Sequence, residues 1–581
     1  MERNMDDRCL GSIGVVGGAK CLLVQRWAEL LNPRTTATYR ARHLNAHMAL
    51  REIRELVDLV LKGDVGQVHL NHVREECLEL LRDDTTLGTH LSQHQQRLLS
   101  NLNTCQIGQR SGQLRLKYQL GYSLPQIDGV YLTSLLTDLR GAVEGGDLDA
   151  TDRLVSALVT ELLSMGWSQR ALYEMRTRLN RALASQSCWT DIQGMVMRQK
   201  RKYICLFLVD HELSETEKSS FITLGLSVRG PADLPSLVPY VDAGHPLPTA
   251  PAYIAVDAEA FDPYSALESA KGMLSSALDV LELFRFRRPG IRGLKLVACS
   301  DERRLKRIDE GHDEWMQLRS ESEVAALSTI ARLMNDPALQ ETDMIRYAAA
   351  LSHYRMGMQA MQQSSRFVSL WVSLESFCRT PAYENIVECI ACRVPELLTI
   401  TRMYRLIRNY YEDCRRAGIG SPGQVVQHWG GAFTMTVAME LVSALRDPTK
   451  QSAMRSATAT YSLLSRRTEQ LIALLSDLKI MAQTLVSEKK RLYWHVQRLY
   501  RVRNSIVHTG AASSNLTALA EHLQDYVSLT LTRTSSIIAS GKAKGIDVAL
   551  ARAVDNYEAT IEVLRKEQGV DSKLILDGAF G

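Results

Sequence analysis

The chain has 581 residues, 45% hydrophobic and 23% charged, with a formal net charge of +4. That length allows about three to four domains, each burying its own core, and the composition is that of a globular protein rather than a disordered or fibrous one. The small positive charge permits a nucleic-acid partner without demanding one. No run of about eighteen apolar residues suggests a membrane span, and the opening MERNMDDRCLGSIG lacks the apolar stretch of a secretory signal.

Residues 1–195 read as helical. HMALREIRELVDLVLKG and TDRLVSALVTELLSMG place apolar residues three and four apart, and a glycine closes each. Near residue 200 the texture changes: KYICLFLVD, FITLGLSVRG, AYIAVDA and GLKLVAC read as strands, and ESAKGMLSSALDVLELF as a helix. Between Pro231 and Pro251 lie six of the fifteen prolines, which reads as a long loop. Residues 196–310 therefore form an expected α+β module with antiparallel pairing. From about 320 the helical pattern returns, and no glycine or proline interrupts the stretch between Pro448 and Gly510. Some sixty residues exceed one ordinary helix, so a break is expected near Ser476-Asp477 or Ser487. The expected fold is mainly α: a helical N-terminal region, a small central α+β module, a C-terminal helical bundle over 320–545 and a helical tail over 546–581.

The last helix of that uninterrupted stretch ends in RVRNSIVHTG. Leu492, Val496, Leu499 and Ile506 share one face, and Arg503 falls in the middle of their stripe. A guanidinium in an apolar seam is costly unless a carboxylate or an anionic ligand meets it. His508 follows five residues later, about 140° around a helix, so the two side chains converge only if the helix kinks or ends between them. Thr509-Gly510 is the expected ending. Asn504 adds a neutral donor and acceptor beside the arginine. Histidine moves protons near neutrality and arginine offers a fixed fork of donors to phosphoryl oxygens, so the pair suits cleavage of RNA by its own 2′-hydroxyl. The other reading of the same residues is a buried Arg–Glu pair followed by a helix-terminal histidine. On the opposite face, Arg491, Trp494, His495, Arg498 and Arg501 could track a nucleic-acid backbone and stack a base, or form a solvated or packed face.

RNSIVH, within RLYRVRNSIVHTG, resembles the R-x(4–6)-H motif of HEPN-domain ribonucleases. FVSLWVSLESF, Phe367 to Phe377, is similar to the aromatic, Glu-containing helix of the Apea-like branch, and AYIAVDAEAFDPYSALESAKGML resembles the α+β segment that often precedes it. The resemblance spans roughly residues 200–540. It implies a HEPN-type bundle in which Arg503 stabilises the scissile phosphate, His508 is the acid–base group, Asn504 orders the site and Glu375 orients the arginine. It further implies RNA cleavage without metal or other cofactor; Arg491, Trp494, Arg498 and Arg501 of the opposite face are then the candidate RNA contacts. A homodimer or higher homo-oligomer lining one cleft is implied as well, and a role as a toxin or antiphage effector. Because free RNA cleavage would harm the host, release by a regulatory partner or phage trigger is expected. Some proteins on this scaffold only bind nucleotides or partners, so a non-catalytic scaffold or nucleotide-binding regulator is the alternative.

Other constellations point elsewhere. GVVGGAK, Gly14 to Lys20, fails the phosphate-loop pattern, with Ala19 before the lysine and Cys21 in place of Ser or Thr. Cys389-x2-Cys392 has metal-ligand spacing but sits in helical sequence with no second pair. His43 and His47, and His90 and His94, lie one turn apart, and His69 and His72 are close, yet no HExxH carboxylate accompanies them; interhelical packing is the expectation. The odd count of eleven cysteines fits a reducing cytoplasm better than a disulfide framework.

Overall fold

The computed structural model describes residues 18–32, 44–233, 248–284, 289–299, 304–309, 321–334, 339–420, 425–510, 516–566 and 575–576. Among them are 22 α-helices and one five-stranded sheet, a mainly α fold with a small α+β module. Residues 14–17 and His43 of the motifs above, and most of the proline-rich stretch, lie outside the described residues. No helix among the described residues is long and apolar enough to cross a membrane.

The N-terminal helices share one core running from Ala19 to Val196. Local sequence dictates their ends. Asn45 caps Ala46–Lys62 by accepting from Met48 N, and Gly63 closes that helix in the left-handed region. Asp147 and Gly166 do the same for Leu148–Met165.

The sheet has the order β2-β3-β1-β4-β5, all neighbours antiparallel: β1 Arg201–Val209, β2 Ser227–Arg229, β3 Ala252–Ala260, β4 Ile291–Cys299 and β5 Arg304–Asp309. Alternate residues Tyr203, Cys205, Phe207 and Val209 of the central strand pack beneath the helix Pro263–Leu283, while Leu206 and Leu208 join a small cluster on the other face. One strand expectation is corrected and one strand was not expected. In FITLGLSVRG only Ser227–Arg229 is strand, because Ser214 and Glu217 form a capping box that starts a helix over Glu215–Thr223. The fifth strand, β5, had no counterpart among the expected elements. The module meets the N-terminal region where Trp167 stacks on Phe261 at 5.3 Å and Ser168 donates from N and Oγ to Asp262, at 2.9 and 2.7 Å.

The C-terminal helices have two cores. One gathers Trp371, Leu374 and Phe377, Val394 and Leu397, Leu492 and Val496, and Leu523. The other gathers Ile407 and Tyr410, Leu441, Leu464, Leu471, Met481 and Leu485. The stretch free of glycine and proline forms three helices, Pro448–Thr458, Ser462–Ser476 and Leu478–Thr509, the last capped by Asp477. This last, the motif helix, runs through both cores, with Met481 and Leu485 in the second and Leu492, Val496 and Leu499 in the first. Helix Ile546–Lys566, read from sequence as part of a tail, also bridges them: Ile546 and Leu550 enter the first core, Tyr557 and Ile561 the second. Gly357 lies in the last turn of the helix Glu341–Gln359, where it packs against Gln363–Cys378. A Cβ there would stand 3.0 Å from Leu370 and 3.1 Å from the Arg366 carbonyl, so a larger residue would require the facing helix to give by a few tenths of an ångström.

Candidate functional site

The motif helix presents the expected stripe. Leu492, Val496 and Leu499 are fully buried, and Arg503 follows them half-buried at the edge of the first core. Its guanidinium reaches two of the residues named for it. Nη1 donates to Asn504 Oδ1 at 3.1 Å, and Nη2 stands 4.0 Å from Glu375 Oε2. Glu375 is fixed from its own helix: one turn earlier, the buried Trp371 donates its indole N–H to Glu375 Oε1 at 2.6 Å. Arg503 Nε is buried without a hydrogen-bond partner. The arginine therefore has a carboxylate at the limit of an ion pair and a donor still unused.

His508 is exposed and makes no hydrogen bond or ion pair with any described residue. Helix Leu478–Thr509 continues unbroken past it to Gly510, whose N–H returns to the Ile506 carbonyl at 3.1 Å in the left-handed region at φ 68°. The helix thus ends at Thr509-Gly510 as expected, but that ending falls after both residues and does not bend the chain between them. On a continuous helix the two side chains leave about 140° apart, so one copy of the chain does not converge them on one point. The structure brings together Arg503, Asn504 and Glu375, and leaves His508 to one side.

The basic face is also corrected. It is not an open track for RNA: Arg498 and Arg501 are paired to the N-terminal helices Ala46–Lys62 and Val68–Asp83, and His495 packs against Leu516–Ala539. Trp494 is 3% exposed with Lys490 Nζ above its ring at 4.4 Å, and His495 is fully buried, 2.8 Å from the Tyr526 hydroxyl. Arg498 donates from Nε to Glu52 at 2.8 Å and from Nη2 to Glu76 at 2.5 Å, and Arg501 pairs with Glu52. Lys490 adds a pair with Glu79 at 2.6 Å. Of the four candidate RNA contacts only Arg491 is exposed.

The electrostatics follow from this closure. Burial pushes the Glu52 carboxyl up, but Arg498 and Arg501 outweigh it and hold the group below its ordinary range. Burial likewise works against charge on Arg498, and Glu52 with Glu76 raises it well above the usual value. Arg501 is lowered: burial dominates, Glu52 opposes, and Arg498 adds repulsion. His69, 5.8 Å from the Tyr500 ring, is driven down to about 4 by burial, with Arg501 and His72 contributing. His72 lies 3.3 Å from the Tyr493 hydroxyl and is lowered by burial and Arg501.

The remaining histidines and cysteines have structural surroundings. His47 is buried between Asp128 at 2.7 Å and Glu161 at 3.1 Å, and His90 pairs with Asp138 at 2.7 Å. Cys389 donates its thiol to the Cys378 carbonyl at 3.1 Å, and burial pushes the Cys378 thiol up to about 12. The partners of the basic face, Glu52 and Glu76, went unnamed in the sequence reading. They lie more than 400 residues from it in sequence. No protein-family model, curated protein or solved structure matches the chain.

Proposed function

We propose that the chain is a metal-independent HEPN-type endoribonuclease whose reacting groups stand at the Gly510 end of the motif helix. One observation carries the reading. Arg503, with Asn504 and Glu375 beside it, keeps a buried Nε without a partner, five residues before the exposed His508 on the same helix. The structural pair Arg498–Glu52 on the same helix closes to 2.8 Å, whereas Arg503 stands 4.0 Å from Glu375. An arginine held back at 4.0 Å keeps donors for an incoming anion.

The chemistry needs few parts. The ribose 2′-oxygen attacks the adjacent phosphorus and the bond to the 5′-oxygen breaks, leaving a 2′,3′-cyclic phosphate and a 5′-hydroxyl. The nucleophile belongs to the substrate, so proximity is built in. Arg503 meets the charge that grows on the phosphoryl oxygens, and His508 exchanges the proton at the attacking or the leaving oxygen. Because the two side chains diverge on one helix, the complete site requires two copies of the chain, each supplying its helix end to a shared cleft. The substrate class is tRNA or mRNA, and the role is a regulated toxin or antiphage effector working in the cytoplasm. The N-terminal helices clamped on the motif helix are the regulatory part.

A second reading, a non-catalytic scaffold or nucleotide-binding regulator, is favoured by that same divergence and by the covered basic face. Incubating purified wild type and His508→Ala with tRNA and total RNA in EDTA separates the two. Cleavage by wild type alone supports the nuclease, and intact RNA with both supports the regulator.

A further inference from the structure

A cavity of about 840 Å³ opens between the N-terminal helices and the second C-terminal core, with Arg491 of the motif helix in its lining. Its size falls in the range of small-molecule pockets. Five arginines from five different helices line it: Arg26, Arg153, Arg402, Arg467 and Arg491.

Three of them have carboxylates. Arg26 Nε pairs with Asp152 at 2.7 Å, Arg467 with Glu29 at 2.8 Å, and Arg402 with Glu488 at 3.1 Å. Arg153 and Arg491 are exposed at the rim and make no hydrogen bond or ion pair with any described residue. Of the lining carboxylates, Asp84 is occupied, accepting from Leu87 N at 2.8 Å and from the Tyr131 hydroxyl at 2.7 Å, and burial raises its pKa. That leaves Asp83 alone to set against two uncommitted guanidinium groups. Leu406, Leu471 and Leu474 give the lining an apolar portion.

We propose that this cavity binds a phosphorylated small molecule of nucleotide size, its phosphates on Arg153 and Arg491 and its less polar body against the leucine wall. Guanidinium forks match phosphate oxygens two at a time. A lone inorganic anion would leave most of the volume to water, whereas a nucleotide reaches from rim to wall. Arg153 belongs to the N-terminal helix Leu148–Met165 and Arg491 to the motif helix, so an occupant ties the two parts together twelve residues before Arg503. The site is independent of the nuclease reading and stands whether or not RNA is cut.

The test uses the full chain and isothermal titration with ATP, GTP, CTP and UTP singly, alongside pyrophosphate, citrate and a short single-stranded oligoribonucleotide. At least one triphosphate is expected to bind, and Arg153→Gln and Arg491→Gln should each weaken it by about tenfold or more, with circular dichroism unchanged. Both residues are at the surface, so neither substitution endangers folding. The proposal is overturned if no triphosphate binds at roughly 1 mM, or if binding survives both substitutions. It is equally overturned if pyrophosphate or citrate binds as tightly as any nucleotide, or if only the oligoribonucleotide binds.

Discussion

Arg498 Nε donates to Glu52 Oε2 at 2.8 Å across 446 positions of sequence, and through this bond the N-terminal region holds the helix that carries Arg503 and His508. Glu76 takes the other side of the same guanidinium, and Arg501 shares Glu52. Four charges are thus shut between three helices. Removing one partner of such a set leaves the others buried and uncompensated. Arg498→Ala should lower unfolding stability by about 3–5 kcal/mol in urea. Adding Glu76→Gln to it should recover part of the loss. Additive losses would mean that the two side chains do not sense one another.

Acid should loosen the same contact. His69 titrates near 4 in the folded chain against an ordinary 6.5. Between those values the unfolded chain takes up a proton that the folded chain refuses, so stability falls as pH drops through the window. His69→Gln removes this contribution. Melting curves of wild type and variant between pH 7 and pH 4 should therefore converge or cross as pH falls, with wild type losing more.

Glu521 should act in the opposite sense. Burial pushes its carboxyl up to about 7, with Arg366 opposing and Glu268 adding to the rise. The folded chain keeps a proton that the unfolded chain has released above 4.5, so this residue costs stability as pH rises toward 7. Glu521→Gln should be close to neutral at pH 4.5 and stabilising at pH 8. The expected gain is on the order of 1–2 kcal/mol, allowing for its partial contact with solvent. A variant equally stable at both pH values relative to wild type would contradict the assignment.

Gly510 stops the motif helix at φ 68°, and a Cβ added there meets nothing within 4 Å. The cost of Gly510→Ala is then backbone strain alone, about 1 kcal/mol in thermal unfolding. Gly510→Asn should lose less, because asparagine tolerates the left-handed region. Equal losses for both would point to a contact rather than to φ.

Much of the fold was legible because its signals are local. Glycines 63 and 166 end the helices that the apolar spacing drew, and Asp477 starts the motif helix at one of the two expected breaks. The Ser214–Glu217 capping box was equally local, and it identifies the helix before β2 that the apolar letters of FITLGL concealed. β5, RLKRID, is an edge strand rich in Lys and Arg, a composition that protects a sheet edge but hides the strand pattern. Within the site, the stripe of Leu492, Val496, Leu499 and Arg503 followed from helical periodicity alone. The fate of the opposite face did not. Arg498 and Arg501 have the same spacing whether they face water, RNA or Glu52, and a carboxylate some 446 residues away leaves no mark on the local pattern.

The central claim rests on His508 at the open end of the motif helix. The most direct measurement is the 3′ chemistry of RNA fragments after incubation with wild type and with His508→Ala, both in excess EDTA and both shown to fold by circular dichroism. We predict fragments ending in 2′,3′-cyclic phosphate from wild type and intact RNA from the variant. Identical cleavage by both proteins, or fragments bearing 3′-hydroxyl ends, would contradict the account.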